Sequence, residues 1–151
     1  MFGKKFVTER LIIREYKEKR SLRANNYSWA LTDKLAEVML VAGVKLSKEE
    51  MHAEMIFRYG QPEMNGDVIN IITTWGKAKM TEYYPYALAI EQGEFRGKEY
   101  TNWRIYRGSH TYTKAEMSLF IKGIVAECQE QGIETKTPDE IARMLSLIKE
   151  A

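Results

Sequence analysis

The sequence predicts an α+β fold, a small antiparallel sheet built from an N-terminal strand and a central hairpin and flanked by about four helices. Three observations lead there. Helix-start signals stand at Ser47 and Thr113, each followed three positions later by Glu, and at Thr137, a cap residue ahead of Pro138 and two acids. Apolar residues recur at helical spacing through 22–42 and again through 114–148. Runs rich in Ile, Val, Tyr and Trp occupy 6–16 and 84–107.

Taken in order, Phe6 to Tyr16 reads as a strand, with Val7, Leu11, Ile12, Ile13 and Tyr16 in imperfect alternation. A first helix follows from Leu22 to Ala42, with Leu31, Leu35 and Val38 on one face and Gly43 as its stop. Ser47 and Glu50 form a capping box that opens a second helix, which buries Met51, Met55 and Ile56 and ends at Gly60. Pro62, Asn65 and Gly66 make a loop, Asp67 to Thr74 a short strand, and Trp75 to Glu82 a second loop. Tyr84 to Gln92 and Glu99 to Arg107 read as a hairpin joined through residues 93–98. Thr113 and Glu116 cap a third helix, whose stripe is Met117, Phe120, Ile121, Ile124, Val125 and Cys128, closed by Gly132. Thr137, with Pro138 at the first helical position and Asp139 and Glu140 behind it, starts a fourth that buries Ile141, Met144, Leu145 and Ile148.

A chain of 151 residues supports one core, so 1–151 is expected to be a single domain; a basic α/β part, 1–110, and a C-terminal helical hairpin, 111–151, are the alternative subdivision. Neither a signal peptide nor an 18-residue apolar run is present, which makes the cytoplasm of a host cell the expected compartment and a membrane an unexpected partner. The single cysteine, Cys128, excludes an internal disulfide and a multi-cysteine zinc site.

The net charge of +2 hides an asymmetry. Residues 1–30 carry eight basic groups against three acids, residues 95–114 five against one, and the tail from Ala115 four against seven. Two basic segments and an acidic tail suit a polyanionic partner, because phosphates supply attraction and counterion release supplies driving force. A mixed-charge surface kept soluble by balance is the plainer alternative.

Two regions concentrate binding chemistry. Lys17, Lys19, Arg20 and Arg23 surround the start of the first helix, where Ser21 is the expected cap; orphan amides beside guanidinium groups make a phosphate-binding corner. On the second hairpin strand, Tyr100, Asn102, Arg104 and Tyr106 are expected on one face and Thr101, Trp103, Ile105 and Arg107 on the other, with Arg96, Arg104 and Arg107 as the cations along the strand path. Rings that take successive bases and cations that follow the backbone are what single-strand binders need. Tyr and Trp are also good strand formers whose rings pack across strands, so structure alone accounts for them equally well.

Enzymatic signals are sparse. His52 and His110 are the only histidines and lie in no metal-ligand spacing, so no metal or cofactor is expected. A nuclease using scattered carboxylates such as Glu50, Glu54 and Asp67 is a minor alternative, and Ser109-His110 lacks an orienting third group.

The stretch Arg20-Ser21-Leu22-Arg23-Ala24-Asn25-Asn26-Tyr27-Ser28-Trp29 resembles the signature of the phage recombination-mediator family of the lambda Orf (NinB) type, in which a strand also runs into Arg-Ser-Leu-x-x-Asn-x-x-x-Trp and a helix. Gly108-Ser109-His110-Thr111 and the helix closing at Gly132-Ile133 carry a second likeness, and the matched stretches together span about half the chain. Residues 112–140 also resemble uncharacterised proteins of phages and prophages of Gram-positive bacteria. The resemblance implies an accessory protein of homologous recombination that binds single-stranded DNA, contacts the host single-strand-binding protein, acts as a homodimer and assists loading of a recombinase or annealing protein. It also raises Asn25 to a polar contact. The middle, 47–100, carries no family motif. A protein-interaction module that leaves DNA alone is the competing class.

Overall fold

The computed structural model describes residues 23–78 and 80–148 of the chain. The predicted strand Phe6–Tyr16 and the basic residues Lys17, Lys19 and Arg20 lie outside them. Among the described residues the fold is α+β, with four α-helices and small antiparallel sheets.

Helix α1 runs through residues 23–41 and buries Ala24, Leu31, Leu35 and Ala36. Ser28 and Thr32 are buried on the same face, yet neither hydroxyl is orphaned. Each donates to the carbonyl three residues back, Ser28 to Asn25 at 2.6 Å and Thr32 to Trp29 at 2.9 Å. Gly43 stops the helix at φ 91°, and Val44 N–H closes onto the Met39 carbonyl at 2.8 Å.

Helix α2, Lys48–Tyr59, opens on the expected box: Glu50 N–H donates to the Ser47 hydroxyl at 3.0 Å, and Glu50 accepts from Ser47 N–H at 3.3 Å. Helix α3, Lys114–Glu130, and helix α4, Pro138–Ser146, start on equivalent boxes at Thr113 and Thr137. The four helices share one core. Leu31, Met55, Phe120, Ile124 and Leu145 belong to it, together with Tyr106 and Tyr112 from the segments that enter and leave the sheet. This core draws on residues either side of 110. Tyr59 at the end of α2 lies on Gly123 of α3, where a side chain would overlap its ring. Its hydroxyl donates to Glu127 at 2.5 Å, and Arg58 bridges Glu54 and Glu127 beside it at 3.0 and 3.1 Å.

The strand expected over 67–74 is two strands. Met64–Asn65 (β1) pairs with Val68–Ile69 (β2) in a short ribbon, and Ile71–Trp75 (β3) pairs with Lys98–Ile105 (β5). The partner changes at Asn70, whose N–H donates to the Glu63 carbonyl at 2.8 Å and whose carbonyl accepts from Ile105 N–H at 3.2 Å. Trp75, expected in a loop, is the last residue of β3. Ala87–Phe95 (β4) pairs along the other side of β5, giving the order β3-β5-β4. The connection expected to span six residues is the two-residue turn Arg96-Gly97, with φ of 51° and 80°. Positive φ at both positions is the type I′ geometry that matches strand twist. The sequence signal was weak because Arg stands where Asn usually does. A bulge at Ile90 shifts the β4 register between Ala89 and Glu91. A second small core, Met80, Ala87 and Ile105 with Ile72, Tyr84 and Trp103, covers one face of the sheet.

Candidate nucleic-acid interface

Strand register sorts the hairpin into two unlike faces. Ile72, Thr74, Ala87, Thr101, Trp103 and Ile105 share the face closed by the small core, and Trp103 Nε1–H donates there to the Thr74 hydroxyl at 2.8 Å. Towards the hairpin tip this face ends in Glu94 opposite Glu99. The other face carries Trp75, Tyr100 and Gly93 in one cross-strand row, then Phe95 opposite Lys98. The Trp75 and Tyr100 rings are tilted at 59° with centroids 5.9 Å apart. Tyr100 lies flat over Gly93, where a β-carbon would sit 2.6 Å from its hydroxyl and 2.7 Å from the ring. Trp75, Phe95, Arg96 and Lys98 line an open cleft at the tip, and the Arg96 guanidinium stands 5.2 Å from the Phe95 ring centroid. Trp75 and Phe95 are 52% and 55% exposed, which is high for apolar rings, although the Arg96 guanidinium lies over one face of Phe95.

The strand residues singled out by sequence divide on this geometry. Arg96 and Tyr100 belong to the exposed row. Arg104 lies at the inner end, paired in register with Ile71 and Leu88, and its Nε is buried without a hydrogen-bond partner. Asn102 is committed within the sheet, accepting from the Thr73 hydroxyl at 2.6 Å and donating to Glu91 at 2.8 Å. Tyr106 does not join Tyr100 on the open face. It lies beyond the end of β5 and packs into the helical core edge-on to Phe57, centroids 5.3 Å apart. Arg107 stacks at 5.5 Å on Tyr112 and pairs with Glu116; against the upward pull of burial, that pairing and the Thr113 cap hold Glu116 below the usual carboxylate range. Trp75, Phe95 and Lys98 escaped the sequence reading: Gly76-Lys77 made Trp75 look like loop, and only the β3–β5 register brings it to Tyr100.

The two stretches that carry the family resemblance meet in space. Ser109, in a short 3-10 turn at Ser109–Thr111, donates to the Asn25 side-chain carbonyl of α1. The Ser109 hydroxyl lies 3.4 Å from Nε2 of His52, a fully buried side chain on α2. His52 stacks on Trp29 with centroids 3.6 Å apart and 9° between planes, and Phe120 meets it edge-on. Asn25 therefore serves a buried junction, as do Trp29 and His52. Burial with no opposing charge lowers the His52 pKa to about 4, so the ring is neutral and its Nδ1 unpartnered. The junction joins α1, α2 and the exit of β5 into one unit.

Arg23, the first described residue, is exposed beside Lys136 and Arg143 of the α4 region. Glu50 is spent on its capping box and Glu54 on Arg58, while Asp67 sits exposed in the β1–β2 turn. Among the described residues no group of three His, Cys, Asp or Glu side chains is placed to hold a metal ion, and no helix is long and apolar enough to cross a membrane. Burial pushes the Cys128 thiol up to about 11, an unreactive core residue. No family model, no curated protein and no solved structure matches the chain.

Proposed function

We propose that this protein is a phage or prophage accessory factor of homologous recombination that binds single-stranded DNA through the open face of its hairpin. The observation that carries the reading is the row Trp75–Tyr100 continuing to Phe95, flanked by Arg96 and Lys98. Rings at successive positions on a ribbon take bases of any sequence, and each stacked base contributes about 1–3 kcal/mol. The cations at the tip follow the phosphates, while Glu94 and Glu99 stand on the opposite face and oppose a second path there. Handover to a recombinase or annealing protein, contact with the host single-strand-binding protein and homodimer formation are carried by the resemblance at Arg20–Trp29 and Gly108–Thr111. The function is binding and exchange, without bond chemistry.

Fluorescence anisotropy with a labelled oligothymidylate tests it. Trp75→Ala and Tyr100→Ala are each expected to weaken binding by about fivefold or more. Binding that is unchanged in the double variant, or no binding at low salt, overturns the direct-DNA reading. The second reading, a protein-interaction module, draws on Leu40, Val41 and Val44, which stand exposed together where α1 ends. It predicts capture of a protein partner that is indifferent to salt.

A further inference from the structure

The segment between α3 and α4 is fastened across the start of α1. Lys136 N–H donates to the Tyr27 hydroxyl at 2.8 Å, and its ammonium stands 5.5 Å from the same ring. That clamp brings Lys136 to the helix end that carries Arg23, and Arg143, two turns along α4, completes one wall. Together they line an open cleft of about 400 Å³ whose floor is Met144 and Leu147.

The acid in the cleft is Glu140, and its carboxylate already accepts Thr137 N–H at 3.1 Å as part of the α4 cap. Among the described residues none of the three cations is ion-paired. Among the described residues lining the cleft three cations stand against one acid, and the charges of Lys136 and Arg143 already help to hold Glu140 below the usual carboxylate range, after its bonds to Thr137. Two of the three are guanidinium groups, whose planar forks match the oxygens of a phosphate. The apolar floor suits the sugar or base attached to it.

We infer that the α1–α4 cleft binds a phosphate group, held by Arg23, Lys136 and Arg143. Arg23 stands in a segment rich in basic residues, whereas Lys136 and Arg143 lie in the net-acidic tail, so composition gave no reason to group them. The site is separate from the aromatic hairpin face and does not depend on it. Two sources share this chemistry, the backbone of a nucleic-acid strand and a free phosphate or nucleotide.

The test follows backbone amide signals of the isotope-labelled full chain during titration with inorganic phosphate and, in parallel, with oligothymidylate. Saturable shifts near Arg23 and along 136–147 are expected with phosphate, lost in Lys136→Gln/Arg143→Gln and retained in Trp75→Ala/Tyr100→Ala. Oligothymidylate saturating the same signals at a concentration roughly tenfold lower identifies the strand as the source. Shifts with phosphate alone identify a small phosphate ligand. No saturable shift at these residues with either probe, or the same shifts in the charge-neutralised variant, overturns the site. A protein that fails to bind oligothymidylate yet responds to phosphate loses the recombination reading and keeps this one.

Discussion

At the residue scale the sharpest consequence belongs to His52. Its ring faces Trp29, Tyr86, Phe120 and the Ser109 hydroxyl, and among the described residues burial alone shifts its titration. Burial lowers the folded His52 pKa to about 4, whereas an unfolded histidine titrates near 6.5, so between those values the unfolded chain holds the extra proton. Stability from this group is complete above the unfolded value and drains as pH falls towards the folded one, by about 3 kcal/mol in all. Urea midpoints measured from about pH 7 down to pH 4 should fall more steeply in the parent protein than in His52→Gln. Equal slopes would show that His52 is not the buried neutral group. Gly93 supplies a second test. In Gly93→Ala the new methyl meets the Tyr100 ring and displaces it from the open face, so oligothymidylate affinity should drop about fivefold while the strands stay paired. Unchanged affinity would mean that Tyr100 does not stack.

At the element scale, capping and turns separate what is local from what is not. The boxes at Ser47 and Thr113 were readable because both partners lie within three residues of each other, and both form as spaced; at Thr137 the cap, Pro138 and the acids marked the helix start, and the structure adds a third box through Glu140. The hairpin strands were readable from composition, but the turn was not, since Arg96 adopts the left-handed conformation that Asn or Gly takes more cheaply. That mismatch is informative, because Arg96 stands at the tip of the proposed DNA face. Arg96→Asn is expected to raise stability by about 0.5–1 kcal/mol, relieving backbone strain, while weakening oligothymidylate binding by removing a cation. Thermal melts and anisotropy on one sample check both signs. A variant that is more stable and binds equally well would take Arg96 out of the interface.

At the scale of the whole molecule, a four-helix core carries a sheet whose outer end projects an aromatic, basic face. The sequence announced the helices through their stripes, because Met55, Phe120 and Leu145 are buried where helical period puts them. The aromatic row was only half legible. Tyr100 and Arg96 were in view, but Trp75 and Phe95 join them through pairing between strands about 25 residues apart or through a two-residue turn. Likewise Lys136 shares a cleft with Arg23 through a segment bonded to Tyr27, more than 100 residues away in sequence. Salt dependence integrates these charges. Each phosphate neutralised on a single strand adds about −0.7 to the slope of log affinity against log salt, so Arg96→Ala/Lys98→Ala should flatten that slope by about 1.4. A slope unchanged in that variant would place the phosphate path elsewhere. Tyr100 rests on Gly93 and Tyr59 on Gly123, each tyrosine filling the space a β-carbon would need. The two members of each pair are therefore not free to drift apart as sequences diverge. Descendants with a larger residue at 123 should have surrendered the ring at 59. A lineage in which 93 and 100 change together will have lost a stacking surface while keeping its fold.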